Sequence, residues 1–138
     1  MGQDEAVRQL DAAARAPVHA YLILGPEGVG KRELAHGFAA KLLAEGTDSD
    51  DYDRHVRLAV GGQHPDLRVV LPEGLTFRRV DAEDLVTSAI RAPIEARRKV
   101  VVALGCEAME EGAVGYLLKA IEEPSPTTVF VLVASEVT

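Results

Sequence analysis

The sequence predicts an α/β domain: a parallel sheet covered by helices on both faces and built around a phosphate-binding loop. Three observations lead there. Short apolar runs alternate with stretches of helical periodicity along the whole chain. Those runs show little polar alternation, as expected of strands buried on both faces. The stretch "GPEGVGKREL", Gly25 to Leu34, follows one such run and opens a helical one, which is the setting a phosphate-binding loop needs.

Bulk properties agree. The 138 residues suffice for one domain with a core, and 47% hydrophobic with 27% charged residues fits a globular chain. A net charge of −7 argues against a chain that coats nucleic acid by itself. With a single cysteine, Cys106, neither a disulfide framework nor a four-cysteine zinc site can form within the chain. No apolar run reaches membrane-spanning length, no secretory leader pattern opens the sequence, and a cytoplasmic setting is expected. With three Phe, three Tyr and no Trp, the core must rest on Val, Leu, Ile and Ala.

Taken in order, Asp4 to Arg15 is Ala-rich, places Val7, Leu10 and Ala14 at helical spacing, and is stopped by Pro17. His19 to Gly25 is a buried strand closed by Gly-Pro. After the loop, Leu34, Phe38 and Leu42 share one helix face, with Gly46 as the stop. Thr47 to Gln63 is acidic and strand-poor. Asp48 and Asp50 hint at a calcium loop, but its turn glycine and closing glutamate are missing, so a solvated loop is expected. Leu67 to Leu71 is a strand. Asp81 caps a helix that runs to about Ala92 before Pro93. Val100 to Leu104 is a strand, Glu110 to Glu123 a helix ended by Pro124, and Thr128 to Ala134 a last strand.

The candidate binding residues are Gly25, Pro26, Glu27, Gly28, Val29, Gly30, Lys31 and Arg32. The glycines let backbone N–H groups turn inward around an anion, the helix start adds partial positive charge, and Lys31 aims a point charge at outer phosphates. The position after the lysine should carry a hydroxyl for magnesium, yet it holds Arg32, which ligates no cation. A second metal-holding acid is expected at the end of the Val100–Leu104 strand, where Leu104 and Gly105 stand; Glu107 is the nearest acid. Phosphoryl transfer depends on metal, lysine and an oriented water, so two parts are missing. The loop is then a relict, or it binds ATP or phosphate weakly with Arg32 standing in for the cation.

Other candidates have plain readings beside sharp ones. His64-Pro65-Asp66 is a metal or catalytic pair, or a turn feeding a strand. Glu122 and Glu123 point about 100° apart on a helix and suit a stop signal or subunit contact better than paired catalysis. Cys106 has no His-Asp partners for nucleophilic work. Arg78-Arg79 and Arg97-Arg98-Lys99 touch phosphates or a partner's acids, or form a solvated face.

The second half carries a resemblance. "LLKAIEEPSPTTVFVLVAS", Leu117 to Ser135, "HPDLRVVLPEG", His64 to Gly74, and "HAYLILGPEGVGKRELA", His19 to Ala35, resemble in register the bacterial clamp-loader subunits of the delta-prime type. The resemblance implies a P-loop NTPase (AAA+) core with sheet order 5-1-4-3-2, of which strands 1 to 4 are recognised here. The fifth, expected beside the His19–Leu24 strand, is missing from this chain, which is read as the N-terminal part of a longer subunit. An exposed apolar edge that promotes dimerisation, swapping or aggregation is expected to result. The resemblance also implies a stator role in loading the sliding clamp, with other clamp-loader subunits and the clamp as partners, and DNA only through the assembly. The chain departs from the family's pattern by lacking its four-cysteine module between Gly46 and Gln63, so no zinc is expected. It lacks the acids at Leu104 and Gly105, and it has Gly115 and Tyr116 where relatives carry a polar residue before "LLK". The family's Ser-Arg-Cys motif is expected beyond Thr138. An active NTPase, a phosphate sensor without turnover, and a diverged paralogue outside replication remain as rivals.

Overall fold

A computed structural model describes residues 19–26 and 30–135. The expected helix at Asp4–Arg15 lies outside these residues. Four strands, β1 (Ala20–Gly25), β2 (Leu67–Val70), β3 (Lys99–Ala103) and β4 (Thr128–Ser135), form one sheet in the order β1-β4-β3-β2. Every pairing is parallel, with Ala20 opposite Phe130, Lys99 opposite Thr128 and Leu67 opposite Val100. This is the 1-4-3-2 part of the expected order. All five residues of β3 are buried, as its unbroken Val run required.

Among the described residues four α-helices connect the strands: α1 (Lys31–Ala44), α2 (Ser49–Val60), α3 (Arg79–Ala89) and α4 (Glu111–Glu122). A single 3-10 turn, Cys106–Ala108, follows β3. The sheet separates two apolar clusters. On one side Phe38, Leu42 and Leu43 of α1 meet Ile23, Val100, Val102 and Val131, with Ala59 of α2 at the margin. Tyr21 meets Phe38 edge-on, ring centroids 4.9 Å apart. On the other side Leu85 of α3 and Leu117 of α4 cover Val101, Ala103 and Phe130. Each fully buried Phe or Leu contributes roughly 2–3 kcal/mol.

Two expectations need correction. The stretch 47–63 is not a solvated loop, because α2 occupies most of it. Asp48 does not mark a calcium loop but caps this helix, its carboxylate accepting the Asp51 N–H at 3.0 Å. Asp50 and Asp51 favour the first turn, Arg57 the last, and Gly61 and Gly62 end it. The apolar stripe is thin because His55, one of its two fully buried members, counts as polar in a sequence. Asp81 is likewise not the cap of α3. It stands three residues in, and its carboxylate accepts the Arg78 N–H at 2.8 Å, so the helix starts three residues earlier than expected.

The remaining elements differ from expectation by one to three residues. Gly46 does adopt φ +83° just past α1, with Glu45 as the last cap.

Candidate functional site: a phosphate-binding loop without its acids

The loop begins where β1 ends. Gly25 is buried at the strand tip and Pro26 is exposed. Glu27, Gly28 and Val29 lie outside the described residues. Gly30 closes the loop with φ +76°, a conformation that a Cβ disfavours, and α1 starts at once with Lys31. The Lys31 ammonium donates to the Pro26 carbonyl at 2.6 Å, one of the three bonds an ammonium can make. Arg32 is exposed on the first turn, and its carbonyl accepts from His36 Nδ1 at 2.8 Å. The turn can therefore present two cations and a helix N-terminus to a phosphate.

It offers no metal ligand among the described residues at the expected positions. Leu104 is buried and apolar. Gly105 takes φ +75°, and a Cβ there would meet Pro72 Cγ at 3.3 Å. Both chemistry and backbone therefore depart from what a metal-holding acid at that position needs. Glu107 stands in the 3-10 turn, where its Oε1 accepts the Ser135 N–H at 2.9 Å. Ser135 is in register with Gly25, so this carboxylate sits at the same end of the sheet as the loop.

The other singled-out residues have structural employment. His64-Pro65-Asp66 is a turn: the Leu67 N–H donates to the His64 carbonyl at 3.1 Å. Asp66 is fully buried and accepts backbone N–H groups from Ile94, Glu95 and Ala96, which fastens the connection before β3 onto the start of β2. Cys106 is half-buried; burial, the largest cause, pushes its thiol up to about 11, which removes it as a nucleophile at neutral pH.

The basic runs are engaged rather than forming a free stripe. Arg79 pairs with Glu83 at 3.5 Å and lies over the Tyr116 ring, while Arg78 reaches Asp81 at 3.7 Å. Arg98 bridges Glu45 and the Leu42 carbonyl, both at 2.9 Å, and Lys99 is buried. The Arg97 guanidinium lies over Gly46. Glu122 ends α4 and Glu123 caps it, both exposed.

Sequence reasoning missed the pairing of His55 with His64 and the contact of Glu107 with Ser135. A signal for the first existed in the spacing of Tyr52, His55, Val56 and Ala59, which puts His55 on the inner face of a helix.

A family model described as DNA polymerase III, delta subunit, matches residues 2–138. The chain belongs to this family. Among curated relatives, the DNA polymerase III subunit delta-prime of Pseudomonas aeruginosa is 39% identical over 123 residues, covering 86% of this chain and 38% of that protein. The protein of the same name from Bacillus subtilis is 30% identical over 120 residues, covering 86% of this chain and 36% of its own length. This chain therefore spans a little over a third of these family members. Two solved structures share the fold. A DNA polymerase III gamma subunit-related protein of Thermotoga maritima superposes with TM-score 0.68 at 23% identity, over 92% of this chain and 39% of that one. The Bacillus subtilis clamp loader delta protein gives TM-score 0.57 at 17% identity, over 95% and 36%. The parallel sheet and its helices thus share their fold with these two structures. Among the described residues no helix is long and apolar enough to cross a membrane.

Proposed function

We propose that this chain is the nucleotide-binding-like core of a stator-type clamp-loader subunit. In this reading it helps load the sliding clamp onto DNA during replication, and it hydrolyses no ATP itself. Its partners are the other clamp-loader subunits and the clamp, and it meets DNA only through that cytoplasmic assembly. The observation that carries the reading is the tip of β3. Gly105 there is left-handed, and a Cβ on it would crowd Pro72, so the acid that would position magnesium is missing together with the backbone that would hold it. Arg32 in place of a hydroxyl removes the other ligand.

A second reading has support from the loop itself. Gly25, Pro26, Glu27, Gly28, Val29, Gly30, Lys31 and Arg32 would hold ATP or a phosphate weakly, with Lys31 and Arg32 supplying charge in place of a cation. Bound there, a nucleotide would report occupancy to the assembly and undergo no turnover.

Isothermal titration of ATP, with and without magnesium, separates these. No heat at millimolar ligand supports assembly alone. Magnesium-independent heat without product supports the cation-mimic loop. Tight magnesium-dependent binding with ADP release would overturn both. Reconstitution with the ATPase subunits of a clamp loader tests the role directly: a full-length subunit carrying Lys31→Ala should still support clamp loading, and loss of loading with assembly intact would refute the non-catalytic role.

A further inference from the structure

The stator reading leaves unused a pair of buried histidines on the opposite side of the domain's chemistry. His55 of α2 and His64 of the turn before β2 are 4% and 3% exposed. Their rings stack with centroids 4.9 Å apart, and His55 Nδ1 lies 2.7 Å from His64 Nε2. The Asp66 N–H donates to His64 Nδ1 at 3.0 Å.

These contacts fix every proton. A neutral imidazole has one N–H and one lone pair. The backbone N–H of Asp66 uses the lone pair on His64 Nδ1, so the His64 proton sits on Nε2. That proton can only be donated to His55 Nδ1, so His55 carries its own proton on Nε2. One further proton has no accommodating place. On His64 Nδ1 it would face the Asp66 N–H, and on His55 Nδ1 it would face the His64 N–H. Either way one of the two hydrogen bonds breaks.

The same direction argues against a metal. One ligand atom each from His55, His64 and Glu95 lies within 4.8 Å of the others. His64 Nε2 bears the proton, however, and cannot ligate unless the Asp66 bond is given up. The Glu95 oxygens are also taken by Arg54, at 2.9 and 3.1 Å.

We propose that the His55–His64 pair is a proton-operated latch: neutral, it ties α2 to the turn that starts β2, and on taking up a proton it lets α2 go. Release would uncover the margin of the core around Ala59 and Val56, where α2 meets α1 through apolar residues. The titratable and charged groups around His64 are His55 and Arg54 from α2, Asp66 from its own turn and Glu95 from the connection to β3. Burial is the largest of these influences and holds His64 below its ordinary 6.5; His55 and Arg54 act the same way, while Asp66 and Glu95 oppose them. The opened segment therefore binds more protons than the closed one. The latch's contribution is complete above about pH 6.5 and is lost as pH falls from there toward the folded value.

Two measurements test this. Nitrogen-15 NMR of the histidine rings at pH 7.5 should show both residues bare at Nδ1 and protonated at Nε2. Hydrogen exchange, corrected for intrinsic rates, should show α2 amides losing up to about tenfold of protection per pH unit below 6.5, while β3 keeps its protection. His64→Asn keeps an oxygen for the Asp66 N–H but takes no proton, and should abolish that pH dependence. An unchanged dependence in this variant, a proton on His64 Nδ1, or stoichiometric zinc binding that shifts both rings would overturn the latch. The ring-nitrogen measurement uses the unaltered chain, so it decides even if the variant fails to fold.

Discussion

Gly105 sits so close to Pro72 that a Cβ on it would stand 3.3 Å from the proline Cγ, on a backbone with φ +75°. An acid cannot be returned to this position without strain. Gly105→Asp should lower stability by about 1–2 kcal/mol in urea denaturation, from the left-handed backbone and the crowding together. It should bring no magnesium-dependent turnover, because Arg32 still replaces the hydroxyl. A variant of unchanged stability would show that the turn after β3 relaxes freely.

The buried Asp66 carboxylate gathers three backbone N–H groups, those of Ile94, Glu95 and Ala96. Burial alone would raise its carboxyl; the N–H groups of Ala96, Ile94 and Glu95 outweigh that and hold it below the ordinary 3.8. Asp66→Asn turns an amide N–H toward those donors and should cost about 2–4 kcal/mol. The carboxylate's contribution is present above the ordinary carboxyl range and is lost as pH falls through the depressed folded value. The asparagine variant should therefore show a shallower loss of stability below about pH 4. Parallel acid profiles for the two proteins would remove Asp66 from this role.

Cys106 should be a poor nucleophile although it is only half-buried. With its thiol pushed up to about 11, the thiolate at pH 8 is about one part in a thousand. Alkylation by iodoacetamide in the folded chain should run roughly two orders of magnitude slower than with free cysteine, by mass spectrometry, and should speed up in denaturant. Rapid modification of the native chain would contradict the burial that sets this thiol.

Among the described residues, β1 pairs on one side only, with β4, and its Leu22 and Leu24 are 58% and 52% exposed. Such an edge favours self-association. The isolated chain should show concentration-dependent dimers in sedimentation velocity, weakened by Leu22→Lys with Leu24→Lys. A monomer at all concentrations would refute this.

Strands, their parallel pairing and the loop between β1 and α1 were legible because each writes a local pattern. The Val run of β3 marks burial on both faces, and Gly-Pro after β1 marks a strand end. The helix at Ser49–Val60 was not legible, because its inner face is held by a histidine that hydrophobicity ranks as polar. Asp48 was legible as an acid but not as a cap, since the same carboxylate suits a calcium loop, a turn or a helix start.

The sequence by itself determined the fold class, the glycine-rich turn between β1 and α1, and the residue types at the two positions where metal ligands were expected. These follow from residue type and short-range spacing alone. Only the tertiary structure decided which way the His64 proton points, what the Asp66 carboxylate holds and why Gly105 cannot simply be an acid. Each of those depends on groups brought together from distant parts of the chain, Asp66 with Ile94–Ala96 and Gly105 with Pro72. Hydrogen-bond direction and steric contact act over a few ångströms in space, whatever the separation along the sequence.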